Sequence, residues 1–370
     1  MKELRDPAVL RRLLDDIGAK ARALGRTPRL MEVCGTHTMA LFKNGLTPML
    51  AEAGVEMVSG PGCPVCITPN GIHEAAIALV TGREGLTLAT FGDMTRVPTR
   101  TGSLQTAVPA RGSRLRVVYS PEEALDEARR EPGREVVFFG AGFETTIPAI
   151  AYTAKRAAAE GQANFSVLPA LWLVPPALRA VLASGEAAVD GFIYPGHVSA
   201  IIGAGPYEFV AREHGLPGAI AGFEPGDILL AVRSVLEQAV EGRPRVALEY
   251  ARAIGRDGNP VARALMDEVF EPFDAVWRGL GRIPASGLRF RPAFAALDAG
   301  PRFGVGTADE GRDLPGCRCG EVLRGVIRPE GCRLFGKTCR PDSPLGPCMV
   351  SYEGACLIHF KYGAPGKGRP

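Results

Sequence analysis

The chain has 370 residues, 46% of them apolar, enough material for about two or three domains with real cores. Its 43 basic and 40 acidic residues leave a net charge of +3, too balanced for a protein that lives on nucleic-acid phosphates, so no nucleic-acid partner is expected. No apolar stretch reaches the roughly 18–20 residues that span a bilayer, so no membrane partner is expected either.

The first segment, MKELRDPAVLRRLLDDIGAK, reads as an amphipathic helix and lacks the apolar run of a signal peptide. A cytoplasmic protein is expected. Apolar runs suited to buried strands follow at 29–33, 55–59, 86–91, 115–119, 135–139, 165–170, 190–194 and 218–223. Helical stretches separate many of them. One opens on Ser120 as N-cap, Pro121 at the first helical position and Glu123 two residues on; another runs from Pro225 through Gln238. Strands alternating with helices predict an α/β protein with mainly parallel sheets in two lobes. Beyond about Arg243 the pattern degrades, and beyond Asp313 the chain is poor in apolar residues and dense in Cys, Gly and Pro. Such a tail needs a metal or cross-links to hold its shape.

Five of the strand runs end in loops of unusual composition. These are Cys34-Gly35-Thr36-His37, Gly60-Pro61-Gly62-Cys63-Pro64-Val65-Cys66, Gly92-Asp93-Met94-Thr95, Gly140-Ala141-Gly142-Phe143-Glu144 and Pro195-Gly196-His197. In open α/β sheets the carboxyl ends of strands carry the ligand site, so the five are expected to converge. Asp93, Glu144, His197 and Glu224 are candidate proton carriers or hydrogen-bond partners; each alone is as readily a structural hydrogen bonder. The tetrapeptide Ala-Gly-Phe-Glu occurs at both 141–144 and 221–224 and hints at a repeated strand–turn unit.

Nine cysteines in a cytosolic protein point to metal or redox chemistry rather than a disulfide framework. Cys332, Cys339, Cys348 and Cys356 place four thiols in the last part of the chain, with Cys317 and Cys319 nearby. Four thiolates suit zinc or an iron–sulfur cluster. The wide loops, without paired Cys-x-x-Cys knuckles, favour a [4Fe–4S] cube. Cys63-Pro64-Val65-Cys66 reads as a reversible dithiol, with half of a metal site as the alternative. Cys34 with His37 offers iron ligands, a Cys–His nucleophilic couple, or a buried cysteine beside a capping histidine. If a helix starts at residue 36, its amides should lower the Cys34 pKa.

The strings MEVCGTHT, GPGCPVCITP, FGDMTRVP, GFETTIPA, YPGHVSAIIG, GFEPGDIL and CRLFGKTC…GPCMVSYEGAC resemble the HypD family of [NiFe]-hydrogenase maturation proteins, in the expected order from about residue 28 onward. The resemblance implies two similar Rossmann-like α/β lobes, at 28–118 and 119–224. It also implies an N-terminal helix over 1–27 packing on the C-terminal part, and a Cys-rich iron–sulfur domain over 225–370. It implies a maturation scaffold with redox activity, in a stable complex with HypC and joined transiently by the cyanide donor HypE. In that family the cysteine matching Cys34 is proposed to hold the assembly iron of the Fe(CN)2CO unit, with His37 beside it. The pair matching Cys63 and Cys66 is proposed to be a redox-active dithiol, fed by a [4Fe–4S] cluster on Cys332, Cys339, Cys348 and Cys356. The arrangement resembles ferredoxin–thioredoxin reductase, so a stand-alone cluster-fed thiol–disulfide oxidoreductase is the alternative function.

Overall fold

A computed structural model describes residues 3–306 and 313–363. Eleven strands are described: β1 Arg29–Glu32, β2 Glu56–Ser59, β3 Leu86–Thr90, β4 Arg114–Val117, β5 Glu135–Gly142, β6 Phe165–Trp172, β7 Gly191–Pro195, β8 Gly218–Ala221, β9 Val246–Leu248, β10 Phe270–Trp277 and β11 Gly281–Phe290. They form two sheets. The first is wholly parallel, in the order β2-β1-β7-β8-β9. The second, β10-β11-β6-β5-β3-β4, is parallel from β6 to β4 and ends in an antiparallel hairpin, β10–β11, joined to β6.

The expected α/β class with mainly parallel sheets is therefore present, but the lobe boundaries at 118 and 224 do not divide the sheets. The chain leaves the first sheet after β2, builds β3 to β6 in the second, returns for β7 to β9, and adds β10–β11 to the second. Parallel neighbours require long crossovers, and a crossover can deliver the next strand to a different sheet. A strand's own apolar pattern does not say which.

Alternation along the strands sorts side chains into separate cores. Val137 and Phe139 face a central core that also takes Phe192 and Tyr194 of β7, so it links both sheets. Val136 and Phe138 face an outer core under the helices Pro121–Arg130 and Ile147–Ala159. Ile193 faces a third core, under the helices Pro7–Ala23 and Pro225–Glu241. Because helices cover both faces, β3, β7 and β8 are buried along their whole length and read as unbroken apolar runs.

The N-terminal helix is Pro7–Ala23; the first two residues of the expected 1–27 segment lie outside the described residues. It packs on Pro225–Glu241, with Arg233 paired to Asp16. That second helix was expected to open the C-terminal domain. It lies within that 225–370 segment and covers the first sheet, so the N-terminal helix packs on the segment's first helix. Residues 307–312 and 364–370 of the expected iron–sulfur domain also lie outside the described residues. The Ser120 cap forms as read: its hydroxyl accepts from Glu123 N at 3.4 Å, while Glu123 reaches back to Tyr119 N at 3.2 Å. Among the described residues no helix is long and apolar enough to cross a membrane.

Candidate functional site: three thiol centres at the strand ends

Cys34 follows β1 and caps the helix Gly35–Lys43; Cys63 follows β2 and caps the short helix Pro64–Ile67. The two loops clasp. Gly35 N donates to Gly62 O at 3.0 Å. A Cβ on Gly62 would lie 2.3 Å from Cys34 N, so only glycine permits this approach. Cys63 and Cys66 are joined by a disulfide.

Cys34 is buried among carboxyls. Its N–H donates to Glu32 Oε2 at 2.9 Å, and Thr38 donates its hydroxyl to the other Glu32 oxygen. Glu353 arrives from the tail, held by the Thr36 hydroxyl at 2.8 Å. Burial, then the Glu353 charge, pushes the Cys34 thiol up to about 12, against the helix amides of His37 and Thr36, which favour the thiolate. The expected lowering is thus reversed: the helix forms, but desolvation outweighs its N-terminal amides. Burial also raises Glu32 to about 8.

His37 is buried, with Nε2 2.9 Å from Gly222 O, so this nitrogen carries the hydrogen and donates. Burial lowers its pKa to about 4 and keeps the ring neutral. The ring stacks on Phe223 at 4.8 Å, and Phe223 stacks on the exposed His197 at 3.8 Å. Asp93 accepts from Ser351 Oγ at 3.0 Å, and Arg96 of the same loop donates to Val350 O at 3.1 Å. Glu144 accepts from Val174 N at 3.0 Å, its second oxygen is buried without a partner, and burial raises its pKa to about 8. Its charge is felt at buried Tyr207, as is that of Cys34. Glu224 takes the plain structural role: it caps Pro225–Glu241 and pairs with Arg5.

The Cys34 loop thus meets the Cys63 loop directly and the His197 loop through Phe223, while the tail clamps it to the Asp93 loop; Glu144 binds Val174 N. Residues 350–353 touch both the Cys34 loop, through Glu353, and the Asp93 loop, through Ser351. Glu353, Glu32 and Phe223 were not singled out in the sequence. Glu32 carries a legible signal, a carboxyl inside an apolar strand run; Glu353 carries none, because its partner lies 317 positions away.

All six tail cysteines line one cavity, together with Leu334, Phe335 and Met349. Cys319 and Cys348 are joined by a disulfide, and Cys317, Cys332, Cys339 and Cys356 are free thiols; burial, then the neighbouring thiols, raises Cys356. Of the expected ligands, Cys332, Cys339 and Cys356 are free thiols and Cys348 is paired; Cys317 is the fourth free thiol of the cavity. Among the described residues no three His, Cys, Asp or Glu side chains converge to hold a single metal ion. A cube needs no such point, since each thiolate binds a different iron at a different corner. Four free thiols around one cavity therefore fit a [4Fe–4S] cluster better than zinc.

Comparison with known proteins gives the family. Residues 8–363 match the family model HypD, described as the hydrogenase formation hypA family. The chain is similar to the hydrogenase maturation factor HypD of Rhodobacter capsulatus, 46% identical over 98% of this chain and 97% of that one. It is similar to HypD of Cupriavidus necator, 43% identical over 98% and 97%, and to HypD of Escherichia coli, 40% identical over 97% of each. Carrying the cysteine loops at its strand ends and matching over almost its whole length, the chain belongs to the HypD family of hydrogenase maturation factors.

Proposed function

We propose that this chain is the scaffold on which the Fe(CN)2CO unit of a [NiFe]-hydrogenase is built. Cys34 holds the iron as cargo, together with a thiolate of a HypC-type chaperone in a stable complex. A HypE-type donor brings cyanide in a transient one. The observation that supports the reading is the tail clamp: Glu353 and Ser351 bind the Cys34 and Asp93 loops, the Cys34 loop clasps the loop of the Cys63–Cys66 disulfide, and Cys348 and Cys356 on either side of the clamp line the cysteine cavity.

The residues divide the work. Cys34 is a thiol at neutral pH until a cation offsets the burial and the two carboxyls around it. Neutral His37 is oriented by Gly222, and exposed His197 stands at the outer face of the Phe223 stack, where it can donate a hydrogen bond to an incoming diatomic. Asp93 holds the clamp, and Glu144 stores a proton behind it. Cys317, Cys332, Cys339 and Cys356 are the free thiols that would hold a [4Fe–4S] cluster, which would supply electrons one at a time. Each of the disulfides Cys319–Cys348 and Cys63–Cys66 opens to two thiols on receiving two electrons and two protons, the electrons coming from an external one-electron donor. Two disulfides in one core also favour a second reading, a cluster-fed thiol–disulfide oxidoreductase.

Infrared spectroscopy of the chain co-purified with a HypC protein separates the two. Scaffold function gives CO and cyanide stretching bands that Cys34→Ser abolishes, while the cluster absorbance near 400 nm is kept. Bands at wild-type strength in Cys34→Ser place the iron elsewhere, and no bands in any preparation leaves the oxidoreductase.

A further inference from the structure

We propose that Arg278 is the electrostatic partner of the tail cluster and sets how readily that cluster accepts an electron. The inference rests on the cluster reading above. Arg278 directly follows β10 and is buried, only 5% exposed. Its backbone N donates to Ile67 O at 2.8 Å, at the end of the short helix that holds the Cys63–Cys66 disulfide. Its guanidinium reaches Cys317, one of the cysteines that line the cavity. One terminal nitrogen lies 3.8 Å from Cys317 Sγ, and Nε donates to Asp313 at 2.5 Å. The other terminal nitrogen is buried and has no partner. Gly346 keeps the meeting point open: a Cβ there would lie 2.7 Å from Cys317 Sγ and 3.6 Å from the guanidinium.

A buried cation with a spare donor is costly unless something negative answers it. Asp313 is one answer and is a third exposed, so it does not fully neutralise the charge. Four thiolates around a cube are the other. Such a cluster is already anionic, and it gains one more negative charge when it takes an electron from an external one-electron reductant, with no proton moved and no bond changed. A cation and a hydrogen-bond donor beside a ligand sulfur stabilise that reduced form and raise the reduction potential. Arg278 therefore favours cluster reduction next to the disulfides it feeds.

The test is a redox titration of the full chain, anaerobically loaded with iron and sulfide. The cluster is followed by absorbance near 400 nm and electron paramagnetic resonance, with dithionite as reductant. Arg278→Gln should shift the midpoint to more negative potential, and Asp313→Asn should shift it the opposite way, both with wild-type iron and sulfide content. Arg278→Lys, which keeps the charge, should stay closer to wild type than Arg278→Gln. A merely structural role predicts no opposed shifts. If Arg278→Gln does not fold, Asp313→Asn and Arg278→Lys still decide: a midpoint unmoved by Asp313→Asn overturns the proposal. A wild-type chain that takes up no iron and sulfide sinks the cluster reading itself, whereas an intact cluster indifferent to all three substitutions sinks this inference alone.

Discussion

The same four residues, Ala-Gly-Phe-Glu, end one strand in each sheet, and their fates differ. At the end of β5, Phe143 is buried near Trp277, and Glu144 turns inward to Val174 N with one oxygen unpaired. At the end of β8, Phe223 lies between two histidines, and Glu224 turns outward to cap a helix and meet Arg5. The residues just after each tetrapeptide decide the difference. Pro225 starts a helix at once, so Glu224 falls at the N-cap, where a proline at the first helical position suits it. After Glu144 come two threonines and a turn, so the carboxyl is not needed at the helix start at Ile147 and reaches across to the next strand's loop. One environment raises a carboxyl pKa by burial; the other lowers it through the Arg5 guanidinium.

Substitutions can break this pairing of opposites or sharpen it. The largest effect is expected from pH at Glu144. Its folded-state pKa, about 8, lies above the unfolded value, so the native state holds a proton that the unfolded chain releases. Stability should therefore fall as pH rises through the window from about 4.5 to about 8, by an amount on the order of a few kcal/mol. Urea unfolding at pH 5 and pH 8 should show Glu144→Gln with a clearly flatter dependence than wild type; equal slopes would mean the carboxyl is not held protonated. Next comes Glu144→Ala, which leaves Val174 N buried and unpaired at a cost of about 1–3 kcal/mol, read as a lower urea midpoint at pH 5. Phe143→Leu should cost about 1–2 kcal/mol, and Phe223→Leu less, because only the first ring is fully buried. Thermal unfolding of the pair tests the ranking. The smallest change is Glu224→Ala, about 0.5–1 kcal/mol for a cap and an exposed ion pair, shrinking as salt is added. A salt-independent loss at Glu224 would contradict its outward role.

The reach of sequence reading obeys the same logic. The runs of β3, β7 and β8 were legible because parallel strands covered on both faces are unbroken apolar stretches; the half-exposed edge strands β2 and β4 showed only shorter apolar runs. The β10–β11 hairpin was not legible. It carries Pro272 and Pro284, Gly281 and Gly287, and several exposed positions, all of which blur a strand pattern at a sheet edge. Sheet membership was invisible because crossovers leave no local trace. At the site, the reactive loops were legible by composition and by their place after strands. The pKa of Cys34 was not, because the helix amides are local while Glu353 and the burial are tertiary. The tail's spacing announced a set of thiols, but pairing depends on three-dimensional proximity, so the Cys319–Cys348 pair was not legible.

The interleaved sheets also govern how this protein comes off the ribosome. β1 and β2 emerge early, yet β1's inner neighbour β7 belongs to a segment made only after all of β3 to β6. Until then the first sheet is a two-stranded ribbon with an open edge, a template for wrong pairing. The tail that supplies Glu353 and the cavity cysteines is translated after all the described strands. A nascent or truncated chain therefore displays Cys34 and the Cys63–Cys66 pair without the clamp that encloses them. The Cys34 loop gains its Glu353 contact only once the tail has been translated.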